Sequence, residues 1–144
     1  DTLGWSHSVF DVRAEYADVD RYPFASELHA NTVSEFLDSE DGDTLSRFSD
    51  VLLLGHDWGV DQEMLLGMLS KLEGDSRPRI GAIGSTVKWN AFREAAIESG
   101  VSEQAVGSVR CPIGLDIGAD SPEEIAVAVC AEILALEKSG DSLD

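Results

Sequence analysis

The feature that most constrains this chain is a pattern of strand, glycine-containing loop and helix that occurs twice in succession. Residues 51–54 form a continuous apolar run, residues 55–57 read Gly-His-Asp, and apolar positions then recur at helical spacing. The pattern returns with the apolar run 80–83, a Gly-Ser pair and a second helical segment. Repeated units of this kind predict parallel strands joined by right-handed crossovers. We therefore expect an α/β fold with a Rossmann-like, doubly wound, mostly parallel sheet flanked by helices.

The other strands and turns are marked less strongly. Residues 8–12 are a short β-rich run, and we expect both this run and 51–54 to be interior strands. Residues 27–33 are ambiguous and could hold a short strand, whereas residues 38–43 are typical of a charged turn.

The last helix has the clearest start signals in the chain. Ser121 suits an N-cap, Pro122 suits the first helical position, and residues 125–136 are apolar on nearly all sides. This pattern predicts a largely buried helix, with Cys130 in the core. We expect residues 139–144 to form a disordered acidic tail, which leaves residues 1–138 as one domain.

Composition narrows the classes of protein further. The chain has 2 cysteines, no zinc-like ligand spacing, no apolar run long enough for a membrane helix and no signal-like amino terminus. These features favour a cytoplasmic protein without a metal site or a membrane partner.

The chain is strongly acidic, with 28 Asp and Glu against 10 Lys and Arg and a formal net charge of -18. Nucleic acid is not an expected partner, because phosphate binding requires a basic surface. A charge of this size repels itself unless salt screens it, so we expect a halophilic protein from a high-salt cytoplasm. Generic solubility and a basic partner surface are the alternative interpretations.

Ligands of doubly wound sheets bind at the carboxyl ends of the strands, which points to the polar residues there. Asp11 ends the first run, where a carboxylate could bind a ribose hydroxyl or cap a turn. His56 and Asp57 follow residues 51–54 and could hold a polar ligand or move a proton. The alternative for Asp57 is to cap the next helix.

Gly84, Ser85 and Thr86 open the second of the repeated helices. Ser85 and its neighbouring amides could bind a phosphate, with Lys88 as a weaker cationic contact, or Ser85 could cap the helix. A hydrolase triad of Ser85 with the His-Asp pair is not expected. Adjacent His and Asp cannot readily place the carboxylate behind the imidazole, and no Gly-x-Ser-x-Gly elbow is present.

Two neighbouring segments are informative about protein family as well as about local structure. They are residues 112–118, Pro-Ile-Gly-Leu-Asp-Ile-Gly, and residues 121–126, Ser-Pro-Glu-Glu-Ile-Ala. Together they resemble the signature that closes the C-terminal domain of the xanthine dehydrogenase accessory (XdhC/CoxI) family. Shorter pieces at 11–13, 21–23 and 84–85 resemble that family's Asp-Pro-Arg, Arg-Phe-Pro and Gly-Ser-Arg motifs. Residues 56–57, together with Asp61, resemble its Thr-His-Asp loop. The resemblance extends over nearly the whole chain.

The chain departs from the family pattern in several places. Gly55 stands where the family usually has threonine, and Thr86 stands where it usually has arginine. We also expect the chain to lack the usual first strand and glycine-rich turn, which family members place before the counterpart of Asp11, and the family's N-terminal domain. A sheet without that strand has an uncovered edge, from which we expect a homodimer.

The resemblance implies a non-catalytic protein that binds molybdenum cofactor (molybdopterin) and helps to mature a molybdenum hydroxylase of the xanthine dehydrogenase or carbon monoxide dehydrogenase type. Gly114 and Asp116 would shape the ligand-facing loop or form a purely structural turn. Two other functions stay open, an NAD(P)-binding oxidoreductase-like protein and an interaction-only subunit with a decayed nucleotide site. The expected cofactor contacts are Asp11, His56, Asp57, Gly84, Ser85, Thr86, Gly114 and Asp116.

Overall fold

The computed structural model of this chain describes residues 4–55, 57–72 and 78–143, with side chains as far as 139. The repeated strand and helix units are present as expected. In chain order the elements are β1 (Ser8–Asp11), a 3-10 turn (Ala14–Tyr16), β2 (Glu27–Ala30), α1 (Val33–Asp38), α2 (Gly42–Leu45), β3 (Asp50–Leu53), α3 (Trp58–Lys71), β4 (Arg79–Ala82), α4 (Thr86–Glu98), α5 (Glu103–Gly107) and α6 (Pro122–Leu143).

All strand pairings are parallel. β1 pairs with β2, β3 pairs with β4, and Arg110 forms an isolated parallel bridge to Gly81 of β4. Parallel strands alternating with helices confirm the Rossmann-type α/β fold, and β2 confirms the ambiguous strand at residues 27–33.

The expectation that β1 and β3 are interior strands is wrong for the described residues. β1 pairs with β2 alone and β3 with β4 alone, so each has one edge without a hydrogen-bonded neighbour. Leu53 is nevertheless only 5% exposed. An apolar run in the sequence predicts that both faces of a strand are covered by helices. It does not predict how many strands pair with that strand at its edges.

The second sheet is covered on both faces. Successive residues of a strand point to opposite faces, and Val51 and Leu53 pack into the main core while Leu52 packs against a smaller cluster on the other side. Helices α1, α3, α4 and α5 contribute to the main core, around the fully buried Phe92. The smaller cluster consists of Ile113, Val129 and Ile133, so α6 covers the opposite face.

Helix α6 begins as its sequence predicts, with the Ser121 hydroxyl accepting a hydrogen bond from the Glu124 amide at 3.1 Å. The prediction of a largely buried helix is wrong, because Val127 is 62% exposed and Leu134 is 38% exposed. Cys130, expected in the core, is exposed as well. One face of a two-stranded sheet covers only one stripe of a helix, and the bounds of α6 continue into the segment 139–144 as far as Leu143.

Only the middle of the charged segment 38–43 lies outside a helix, because α1 ends at Asp38 and α2 begins at Gly42. Asp41 is the N-cap of α2, and its carboxylate accepts a hydrogen bond from the Thr44 amide at 2.8 Å. Capping residues are also common in turns, so composition alone favoured the turn over the short helix.

Candidate functional site

Three loops meet at the carboxyl ends of neighbouring strands. The Ile83 amide donates to the Leu53 carbonyl at 3.0 Å, which holds the loop after β4 beside the loop after β3. The Cys111 sulfur lies 3.9 Å from the Gly84 carbonyl oxygen, so the loop after the Arg110 bridge contacts the loop after β4. We call this region the carboxyl-end surface; among the described residues it comprises 54, 55, 57, 83–86 and 111–118.

Two predicted site residues on this surface cap helices. The Asp57 carboxylate accepts hydrogen bonds from the Gly59 amide at 2.9 Å and the Val60 amide at 3.3 Å, at the start of α3. The Ser85 hydroxyl accepts one from the Lys88 amide at 3.2 Å, at the start of α4. Both side chains are exposed, and both helices direct their positive ends at the carboxyl-end surface. His56 lies outside the described residues.

Lys88 does not offer its charge to solvent, so its interpretation as a surface anion contact is wrong. Its ammonium lies 3.2 Å from an Asp61 carboxylate oxygen and donates to the Ile83 carbonyl at 2.9 Å. The two side chains are only 5% and 8% exposed. Lys88 is thus an internal charge paired with the first turn of α3.

Two glycines of the surface lie directly against this ion pair. A β-carbon at Gly55 would lie 2.8 Å from the nearer Asp61 carboxylate oxygen, and one at Gly84 would lie 2.6 Å from the Lys88 δ-carbon. Space occupied by Asp61 therefore accounts for glycine at position 55.

The loop after the Arg110 bridge turns at two glycines in the left-handed region, Gly114 at φ 102° and Gly118 at φ 72°. The Gly114 amide donates to a Glu132 carboxylate oxygen of α6 at 3.3 Å. Asp116 stands between these glycines and is exposed. Cys111 opens the loop, and burial raises the pKa of its thiol against the opposing effect of the Lys88 charge.

Asp11 lies in the other strand pair. Its carboxylate accepts hydrogen bonds from the Arg13 amide at 2.9 Å and from the Arg13 guanidinium at 3.1 and 3.3 Å. Burial raises the pKa of Asp11, but the hydrogen bonds from Arg13 outweigh it and the pKa is lowered. The local role weighed for Asp11, holding a turn, is thus present in the structure.

Sequence reasoning missed a second polar cluster, which joins the sheet to α6. Arg79 donates two hydrogen bonds of 2.9 Å to Asp50, and Arg110 pairs with Glu132. Burial alone would raise the pKa of Asp50. The hydrogen bonds and the charge of Arg79 outweigh that effect, so the pKa of Asp50 lies below its usual value. These residues lie far apart in the chain and share no spacing, so no local pattern marks them.

Within the parts of the chain that the structure describes, no group of three or more His, Cys, Asp or Glu side chains could hold a metal ion. The helices described there include none that is long and apolar enough to span a membrane.

The chain is similar to known proteins over nearly its whole length. The uncharacterized protein YqeB of Escherichia coli strain K12 is 28% identical over 138 residues, which is 95% of this chain and 24% of YqeB. The crystal structure of a xanthine dehydrogenase from Bacillus halodurans has a TM-score of 0.77 and 25% identity, covering 99% of this chain and 40% of that chain. This chain thus spans less than half of either relative. Residues 1–133 match the XdhC Rossmann domain, and the chain belongs to that family.

Proposed function

We propose that this chain is the cofactor-binding part of an accessory protein that takes up molybdenum cofactor and assists the maturation of a molybdenum hydroxylase. The observation that carries the proposal is the meeting of three loops at the carboxyl-end surface of an XdhC-type Rossmann domain. The similar chain from Bacillus halodurans is named a xanthine dehydrogenase, which supports a client of that class.

The groups on this surface suit a pterin that carries a phosphate. Ser85 and Thr86 offer hydroxyls at the positive end of α4, a 13-residue helix, where a phosphate is favoured. The exposed carboxylates of Asp57 and Asp116 can accept hydrogen bonds from pterin N–H groups. Gly114, at φ 102°, shapes the third loop. When bound, the cofactor would supply the redox chemistry of the client enzyme, whereas these residues bind and orient it.

Three further residues complete the proposed set. Gly84 lies directly before Ser85, the N-cap of α4, and Lys88 fills the space beside it, so we expect Gly84 to contribute through its backbone alone. His56 is the third residue after β3 in the sequence and would add an imidazole next to Asp57. Asp11 would bind a ligand only by releasing Arg13, so we expect it to contribute least.

An NAD-binding, oxidoreductase-like protein is the second candidate. Asp11 ends β1 in the position where dinucleotide-binding domains hold a ribose hydroxyl. The three hydrogen bonds from Arg13 to this carboxylate weigh against the candidate, since ribose would have to displace them.

Binding titrations distinguish the candidates. We would titrate the protein, in molar salt, with molybdenum cofactor released from a purified molybdenum enzyme and separately with NAD, and record the heat of binding. We expect binding of the molybdenum cofactor alone. Ser85→Ala should weaken it about tenfold through the lost hydrogen bond.

Ser102→Ala is the matched control for that substitution. The Ser102 hydroxyl caps α5 with a 3.1 Å bond from the Ala105 amide, and Ser102 lies away from the proposed surface. It should leave binding unchanged. Binding of NAD alone would support the oxidoreductase-like alternative, and binding of neither would leave an interaction-only subunit.

We further propose that the protein works in a high-salt cytoplasm as a homodimer and docks on a molybdenum hydroxylase subunit. Among the described residues, β1 and β3 each have one edge without a hydrogen-bonded strand, and Val127 and Leu134 of α6 are exposed, which supports self-association. Sedimentation equilibrium should give a dimer that Leu134→Glu weakens. A monomer at all concentrations would contradict the dimer.

A further inference from the structure

The Lys88 and Asp61 side chains form a buried ion pair. Neither side chain is among the residues proposed to contact the ligand. Lys88 belongs to the first turn of α4 and Asp61 to the first turn of α3, 27 residues apart in the chain. Their charged atoms are 3.2 Å apart, and the ammonium also donates to the Ile83 carbonyl at 2.9 Å. The Lys88 ammonium further lies 5.4 Å from the centre of the Phe92 ring. The pair therefore joins two helix starts and one loop.

Stability alone is a weak reason for such a pair. Removing two charges from water is costly, and replacing a buried ion pair by apolar side chains of similar size is often neutral or stabilising. What an apolar pair could not reproduce is the bond from Lys88 to the Ile83 carbonyl, which holds the loop that begins after β4. This loop carries Ser85 and Thr86 of the proposed site.

The surrounding backbone is built around the pair. Asp61 fills the space beside Gly55, and Lys88 fills the space beside Gly84, so neither position has room for a β-carbon without displacing one charged partner. The loops after β3 and β4 thus each run against one member of the pair. Any movement of one loop relative to the other would strain the 3.2 Å contact.

We infer that Lys88 and Asp61 are positioning residues, which lock the loops after β3 and β4 into one rigid surface. The lock fixes the starts of α3 and α4, and with them Asp57 and Ser85, without contacting the ligand. The part of the inference that concerns cofactor affinity rests on the proposed function, whereas the part that concerns loop rigidity does not.

The test compares the single variants Lys88→Met and Asp61→Leu with the double variant, each as the full chain in molar salt. The singles leave one buried charge unpaired, whereas the double variant replaces the pair by an apolar contact and should remain folded. Lys71→Met, at an exposed end of α3, is the control. The readouts are amide hydrogen exchange of residues 57–60 and 83–88 and the affinity for molybdenum cofactor.

In the folded double variant we expect exchange of these amides to rise at least about tenfold, with the amides of α5 unchanged. Affinity for molybdenum cofactor should fall about tenfold as the loops lose their fixed arrangement. Unchanged exchange at both loops, or faster exchange with unchanged affinity, would overturn the inference.

Two further measurements cover the cases in which the double variant does not fold or the unmodified protein does not bind the cofactor. Should the double variant not fold, Lys88→Gln removes the charge that pairs with Asp61 and shortens the side chain, and we expect the same rise in exchange at residues 57–60 and 83–88. Should the unmodified protein bind no molybdenum cofactor, the proposed function fails, and the exchange measurement alone decides whether the pair locks the loops.

Discussion

At the scale of single residues, two glycines make room for two buried charged side chains. Gly55 and Gly84 lie against the side chains of Asp61 and Lys88, and neither glycine has a positive φ. Their role is to leave room for a side chain, not to permit an unusual backbone.

A methyl group at position 55 tests this account. Gly55→Ala should destabilise the protein by about 1–3 kcal/mol, because the new β-carbon would displace Asp61 from Lys88. The free energy of unfolding, measured with urea in molar salt, reports the effect.

Gly107→Ala is the matched control, since a β-carbon there would meet no atom within 4 Å. It should change stability by no more than about 1 kcal/mol, in the stabilising direction expected of alanine in a helix. Equal effects of the two substitutions would contradict the role assigned to Gly55.

A second residue-scale prediction concerns acid. Hydrogen bonds from Arg47 and His29 lower the pKa of Glu27 from 4.5 to about 2. Because this pKa is depressed in the folded protein, the stabilisation from ionised Glu27 is fully present above pH 4.5 and is lost as the pH falls towards 2. The difference in unfolding free energy between the unmodified protein and Glu27→Gln should shrink over that window.

Glu94→Gln, at an exposed position of α4, serves as the comparison for Glu27. A difference between the unmodified protein and Glu27→Gln that stays constant from pH 6 to pH 2 would show that the Arg47 contact does not hold the carboxylate in solution.

At the scale of elements, α6 shows how far a sequence pattern can mislead. Its apolar residues occupy nearly the whole circumference, yet among the side chains described in α6 only Ala128, Val129 and Ile133 are buried, and the last two pack with Ile113 and Leu52. Ile125, Val127 and Leu134 are exposed, and a further chain could cover them there.

Two valines of α6 give a direct test of that orientation. Val129 is 6% exposed and Val127 is 62% exposed. Val129→Ala should cost about 1.5–3 kcal/mol of unfolding free energy, whereas Val127→Ala should change it by less than about 0.5 kcal/mol. Chemical denaturation of both variants at a concentration that keeps the protein monomeric checks the prediction. A larger cost at Val127 would reverse the assigned faces.

The repeated units were predictable because each is a local pattern. An apolar run, a glycine and a helical stripe lie within about 20 residues, and caps such as Asp57 and Ser85 follow from positions next to helix starts. Helix α5 was not predicted, although Ser102 caps it, since 5 residues show no periodicity.

The site was predictable in position but not in its internal chemistry. The rule that ligands bind at the carboxyl ends of parallel strands pointed to residues 55–57 and 84–86, and the structure places the described ones, 55, 57 and 84–86, at that edge. The partner of Lys88 depends on Asp61 being 27 residues away, and no sequence spacing shows that contact. For the same reason the sequence suggested Lys88 as a cationic contact for a phosphate, whereas its charge is buried against Asp61.

At the scale of the whole molecule, the net charge of -18 dominates. Interactions between surface charges extend about 10 Å at 0.1 M salt and about 3 Å at 1 M. We therefore predict that the melting temperature rises by at least about 5 °C between dilute buffer and molar salt.

The nature of the salt separates screening from other effects. Potassium chloride and tetramethylammonium chloride at equal ionic strength should raise the melting temperature alike if screening is the cause. A protein that is equally stable in dilute buffer would contradict the high-salt proposal.

We propose that molybdenum cofactor binds where the loops after β3, β4 and the Arg110 bridge meet. The most direct test is amide hydrogen exchange of the full chain with and without molybdenum cofactor, in molar salt. The account predicts slower exchange at residues 57–60, 83–88 and 113–118, and no change in α5. Protection confined to other segments, or protection nowhere, would contradict it.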